Sequence, residues 1–243
     1  MKRLPKYAIL ILLAALFLAS AASCTYNPPE GYTEKHHTYE EILSFAKSID
    51  PNATVSKTYT DTQTNSVNRN FREWDAVING VECHVSSVGV FVWNTGFMGG
   101  KFSKQYYVID TDYDYLVLKK ILSEKQPDWK MQLEDIEERY NWYGILTINT
   151  SYFEKRELSA EELEIAWAEA YEIYLEYNSH PVRKQAYFNV SVPESFWDRK
   201  HENEHISYYH ISMSDFSEQG KANFFQDYAE HWDLLNSGLP IEE

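Results

Sequence analysis

The chain reads as an α+β fold in which a mostly antiparallel sheet packs with several helices, and three observations carry that class. Strand-like stretches cluster between helices instead of alternating with them one for one, which disfavours a doubly wound parallel sheet. Asn79-Gly80 sits between two β-rich runs, the strongest short-range signal for a two-residue hairpin. Two capping boxes, Thr38 with Glu41 and Ser159 with Glu162, each precede apolar residues at helical spacing.

From Thr38, the residues Ile42, Phe45, Ala46 and Ile49 recur at helical spacing until Asp50-Pro51-Asn52 stops the helix. Strand-like segments follow at Thr54–Thr60, across the hairpin from Trp74 to Trp93, and at Gln105–Asp110. The two-residue turn fixes the hairpin register. It sets Ile78 opposite Val81, Ala76 opposite Cys83 and Trp74 opposite Val85 on one side, with His84 facing Asp75 on the other. Cys83 is therefore expected as a small buried hydrophobe, since a reactive thiol needs exposed, electropositive surroundings. His84 and Asp75 are expected as an exposed ion pair.

A helix is predicted over Tyr113 to Lys125, with Leu116, Leu118, Ile121 and Leu122 as its apolar stripe. Asp128 to Asn141 fits helix and strand equally. Tyr143–Thr150 reads as a strand, and the Ser159 box opens a long helix to about Tyr177, ended by Asn178, Ser179 and Pro181. Val182–Val192 alternates with Ala186, Phe188, Val190 and Val192 on one face. Ile206–Met213 is strand-like, and a last helix runs to about Asn236 before Gly238 and Pro240. Residues 38–243 are thus expected as a single α+β domain, with possible sub-halves at 38–127 and 128–243.

The first residues have a different character. Lys2, Arg3 and Lys6 form a cationic lead, an uncharged apolar run extends from Tyr7 to Ala19, and small residues follow. That run is well short of the ~20 residues a spanning helix needs, so residues 1–23 read as a signal peptide. Ala21-Ala22-Ser23-Cys24 resembles the lipobox of bacterial lipoproteins. The resemblance implies that the Cys24 thiol takes a diacylglyceryl group, with acyl chains of the palmitate type, and that cleavage makes Cys24 the first mature residue. Ala21 stands where that family more often has leucine, and Ala19-Ser20-Ala21 offers an ordinary A-x-A secretory cut as the alternative. Residues 24–37, with Pro28-Pro29 and Gly31 and no apolar periodicity, read as a lipidated tether.

The precursor carries a formal charge of -15, and loss of three basic leader residues takes the mature chain to -18. That excess of carboxylate argues against nucleic acid and against anionic headgroups as partners of the folded body. Metal and nucleotide motifs are near misses. His201, Glu202 and His205 spell H-E-x-x-H, but Asp198-Arg199-Lys200 precedes them and a strand-like ISYYHISM follows. In an extended segment those histidines lie ~13 Å apart, too far for one ion, so the motif reads as a polar connection. Gly96-Phe97-Met98-Gly99-Gly100-Lys101 lacks the spacing and the Ser or Thr of a phosphate loop and reads as a glycine turn. Asp110, Asp112 and Asp114 mimic the start of an EF-hand loop, but Tyr115 and Ile121 occupy the positions needing glycine and glutamate. Helix N-capping by Asp112 or Asp114 is the simpler reading, with calcium as the open alternative.

The functional expectation is a lipid-anchored extracytoplasmic binding or interaction module at the bacterial cell envelope. Its partners are the membrane, through the lipid, and an envelope protein or glycan. No catalytic residue, metal ligand or cofactor is assigned, and Cys24 is the one site residue. The alternative is an envelope hydrolase, metal-assisted or using a carboxylate pair.

Overall fold

A computed structural model describes residues 31–64, 69–95, 101–125, 131–133, 147–153, 156–193 and 208–237. The leader, Cys24, the His201–Glu202–His205 motif and Gly96–Gly100 lie outside them. The fold is α+β, with helices packed on largely antiparallel sheets.

Helix α1, Tyr39–Ile49, begins at the expected capping box, in which the Thr38 side chain accepts from the Glu41 amide and Glu41 bonds back to Thr38. Its inner face buries Ile42, Ala46 and Ile49. The first sheet has the order β1 (Thr54–Val55), β3 (Arg69–Ile78), β4 (Val81–Thr95) and β5 (Lys101–Thr111), with β2 (Thr60–Thr64) also on β3. The segment expected as one strand over Thr54–Thr60 is broken. Residues 56–59 span the gap opposite only Trp74 and Asp75, and the Ser56 hydroxyl donates to the Thr58 carbonyl at 2.6 Å, a local bond competing with the ladder.

The β3–β4 hairpin adopts the register the turn dictates: Ile78 pairs with Val81, Ala76 with Cys83, Trp74 with Val85 and Asp75 with His84. Asn79 and Gly80 have φ of 48° and 76°, the pair of positive values a type I′ turn demands. Asp50, capping the C-terminus of α1, accepts from the Asn79 amide at 2.8 Å and so fastens turn to helix.

Helix α2 spans Tyr113–Lys125 as expected. Its buried stripe is rotated from the predicted one: Tyr113, Asp114, Val117, Leu118 and Ile121 are buried, while Leu116 and Leu122 are only partly so. The second sheet has the order β6 (Met131–Leu133), β7 (Thr147–Phe153), β8 (Gln185–Pro193) and β9 (Tyr208–Ser212). β7 and β8 run parallel, joined through helix α3 (Ala160–Ser179), and the other pairs are antiparallel. Ser159 and Glu162 form the second capping box. Helix α4, Glu218–Ser237, follows β9.

Ala186, Phe188, Val190 and Val192 are all buried, as their alternation requires. One apolar cluster joins them to Trp74, Cys83 and Val85 of the first sheet and to Trp167 and Trp232 of the helices. Each large apolar side chain so removed from water contributes roughly 1.5–3 kcal/mol before chain entropy is counted.

Candidate functional site

Among the described residues, a dense group of buried ionisable side chains lies where the end of the first sheet meets the start of β8. Asp110 is the next-to-last residue of β5, Asp112 precedes α2, Asp114 sits in its first turn, and Lys184 immediately precedes β8. Lys184 Nζ stands 3.0 Å from Asp110 Oδ1, with each side chain only 8% exposed, and it also donates to the Thr111 carbonyl. Burial of this kind is tolerated only because each charge faces its opposite.

The three aspartates diverge. Asp110 faces Lys184. Asp112 accepts from the His84 amide at 2.6 Å through Oδ1 and lies 3.0 Å from His84 Nδ1 through Oδ2. Asp114 turns away from its own helix, and its Oδ2 accepts from the Arg183 and Lys184 amides at 3.2 and 2.9 Å. The expected N-capping role therefore does not hold for Asp114. Two main-chain amides from the other half of the chain bind its carboxylate instead of the amides of its own first turn. The same bonds explain why β8 starts at Gln185 and not Val182, since amides 183 and 184 are directed at a carboxylate instead of a ladder. Among the described residues, no three carboxylate, imidazole or thiol groups are arranged to hold a metal ion.

Burial pushes the Asp114 carboxyl above its usual range, opposed by the Lys184 charge and by the two amides. His84 behaves oppositely. Its hydrogen bond to Asp112 raises its pKa against a smaller desolvation effect, and Nε2 lies 3.5 Å from Asp75 Oδ1. An imidazole backed by a buried carboxylate is a familiar proton-transfer pair, but here the half-exposed ring lies between two carboxylates. That favours the imidazolium and makes His84 an electrostatic link. The exposed His84–Asp75 pair is as expected; its partner Asp112 is the addition.

Cys83 is buried, and desolvation pushes its thiol up to about 12, which removes it as a nucleophile at neutral pH. A second polar cluster holds residues 33–37 against the first sheet. Thr33 pairs with Tyr107 of β5 through bonds of 2.9 and 2.8 Å, so part of the segment read as tether is docked on the sheet. The fully buried Ser87 hydroxyl accepts from the His37 amide at 3.0 Å and lies 3.1 and 3.3 Å from Nδ1 of His37 and His36. Burial lowers the pKa of both imidazoles. The serine–histidine contact resembles a nucleophile with its base, but a hydroxyl with no exposure cannot meet a substrate, and here it pins residues 33–38 to the sheet.

Sequence reasoning missed Lys184, although the signal was present. The alternation that buries Ala186, Phe188, Val190 and Val192 puts position 184 on the same face, and a lysine there requires a buried carboxylate. Comparison with protein-family models, with characterised proteins and with solved structures finds no match.

Proposed function

We propose that this chain is a lipid-anchored binding module held on the extracytoplasmic face of a bacterial membrane, with an envelope protein or glycan as its partner. The observation that carries the reading is the order of features along the chain. A cationic then apolar leader ends at Cys24, and nine residues later Thr33 pairs with Tyr107, the first main-chain pairing among the described residues. Nine residues reach at most about 32 Å when extended, so a lipid on Cys24 keeps β5 close to the bilayer. Support for binding over turnover comes from the buried ionisable groups: Lys184 pairs with Asp110 and donates to the Thr111 carbonyl, and Asp114 accepts from the Arg183 and Lys184 amides, so these groups serve to hold segments together. The -18 charge of the mature body leaves membrane attachment to the lipid.

The deciding measurement is cell fractionation with mass spectrometry. Wild-type protein is expected in the membrane fraction with acyl mass on Cys24, and Cys24→Ser protein in the soluble fraction without it. Wild-type protein that is soluble, with a free Cys24 thiol or with Ala22 as first residue, refutes the anchoring.

A further inference from the structure

Residues 33–37 are held to the first sheet by hydrogen bonds whose protons can be assigned one by one. The Thr33 hydroxyl donates to the Lys35 carbonyl at 2.7 Å. Its one hydrogen is then used, so towards His37 Nε2, 3.4 Å away, the Thr33 oxygen accepts and Nε2 carries the proton. A neutral imidazole has a single N–H, which leaves His37 Nδ1 as an acceptor, 3.1 Å from the Ser87 hydroxyl. Ser87 Oγ therefore donates to His37 Nδ1. Its two lone pairs accept from the His37 amide at 3.0 Å and from His36 Nδ1, 3.3 Å away.

A proton added to His37 can go only to Nδ1. There it sets a new N–H against the Ser87 hydrogen, and turning the hydroxyl away leaves three donors converging on two lone pairs. Both Ser87 and His37 are buried, so water does not relieve the conflict or solvate the imidazolium. His36 has no such conflict, because its charged form keeps the same N–H towards Ser87. The carboxylate that faces His37 is Glu41 of α1, already bonded to the Thr38 amide and hydroxyl in the capping box. His36 lies against the Tyr107 ring of β5, and the paired Arg72 of β3 and Asp61 of β2 act on it with opposite signs. The Glu34–Lys104 pair between the segment and β5 is exposed and screened by water. Burial lowers the pKa of docked His37 against the smaller pull of Glu41. The released segment thus holds this proton more tightly than the docked one. Docking is at full strength above the released-state value of about 6.5 and weakens as pH falls below it.

We propose that residues 33–37 form an acid-released clasp, in which proton uptake at His37 breaks its bond from Ser87 and frees the segment from β5. Where the chain is anchored at Cys24, a consequence that rests on the lipoprotein reading, release lengthens the free tether. The span from Cys24 to the first fixed residue grows from nine residues at Thr33 to fourteen at Thr38, and the extended reach from about 32 to about 50 Å.

The test follows amide hydrogen exchange by NMR in the full mature chain carrying Cys24→Ser, at pH 7.5 and at pH 5.5. The Thr33 and Tyr107 amides bond to each other's carbonyls, and their protection should fall severalfold at the lower pH, with about tenfold as the ceiling for one proton. The β3–β4 ladder should keep its protection. His37→Asn places a non-titrating oxygen where Nδ1 accepts, and should show equal protection of Thr33 at both pH values; His36→Asn should retain the wild-type loss. In the unsubstituted segment the His37 imidazole should titrate below the ordinary histidine value, together with the loss of protection, and this readout decides the matter if His37→Asn fails to dock. Four results each overturn the proposal: protection of Thr33 and Tyr107 unchanged by pH, a loss shared equally by the β3–β4 ladder, a wild-type loss in a docked His37→Asn chain, or a His37 titration at or above the ordinary value. Because the chain tested carries no lipid, these outcomes are separate from the fractionation that tests anchoring.

Discussion

Lys184 Nζ lies 3.0 Å from Asp110 Oδ1 with both side chains almost wholly enclosed, and this contact joins the last strand of the first sheet to the first residue before β8. In the first sheet β2, β3, β4 and β5 pair antiparallel with their neighbours in sequence, so local pairing can build it. The second sheet must still be positioned against it. The apolar cluster supplies most of that adhesion, while the ion pair and the two amide bonds to Asp114 specify the orientation, because they are satisfied in only one arrangement.

Replacing Lys184 by methionine leaves Asp110 buried without its cation, and the expected loss is about 3–5 kcal/mol in chemical denaturation. The Lys184→Met/Asp110→Leu double variant should recover much of that loss, since two packed apolar groups need no charge compensation. A double variant no more stable than Lys184→Met alone would show that the pair is not the relevant unit.

Removing the Ser87 hydroxyl leaves the buried His37 amide without its acceptor. The Ser87→Ala chain should lose about 1–3 kcal/mol. Hydrogen exchange should show the loss first at Thr33 and Tyr107, whose mutual bonds hold the docked segment. Uniform destabilisation with no local change near Thr33 would count against the pinning role of Ser87.

Cys83 should resist alkylation in the native Cys24→Ser chain at pH 8, because almost none of a thiol with a pKa near 12 is ionised there. Iodoacetamide labelling should appear only as denaturant unfolds the chain and should follow the loss of fluorescence from the buried tryptophans. Stoichiometric labelling of the folded protein would contradict the buried setting of Cys83.

The parts of the fold legible in the sequence are those fixed by local chemistry. Asn79-Gly80 allows only one tight turn, so eight residue pairs of the β3–β4 ladder follow from it. Thr38 and Ser159 announce their helices through caps that act within four residues. Contacts between distant segments were not legible. Asp112 and Asp114 read as candidate helix caps until β4 brings His84 alongside the first and the chain before β8 presents two amides to the second. The bend at Ser56–Tyr59 was equally hidden, because Ser56 suits a strand or a turn and only its bond to Thr58 decides. Of the candidate site, Cys83 and the His84–Asp75 pair could be foreseen from hairpin parity. Lys184 needed the further step of asking why a cation occupies an apolar face.

The His84–Asp112 pair gives stability a predictable dependence on pH. Asp112 raises the His84 pKa in the folded chain, above an unfolded value of about 6.5. The folded state therefore holds this proton more tightly. The resulting stabilisation is fully present below about pH 6.5 and disappears as pH rises through the folded pKa. Because about half of the His84 side chain is exposed, solvent screening limits the effect to about 0.5 kcal/mol. The stability difference between wild type and His84→Gln should thus be larger at pH 6 than at pH 9. An NMR titration should place the His84 imidazole above the ordinary histidine value in wild type and lower in Asp112→Asn, which keeps an acceptor for the His84 amide but removes the charge. An His84 titration at or below the ordinary value, or one unmoved by Asp112→Asn, would show that the buried carboxylate does not govern this imidazole.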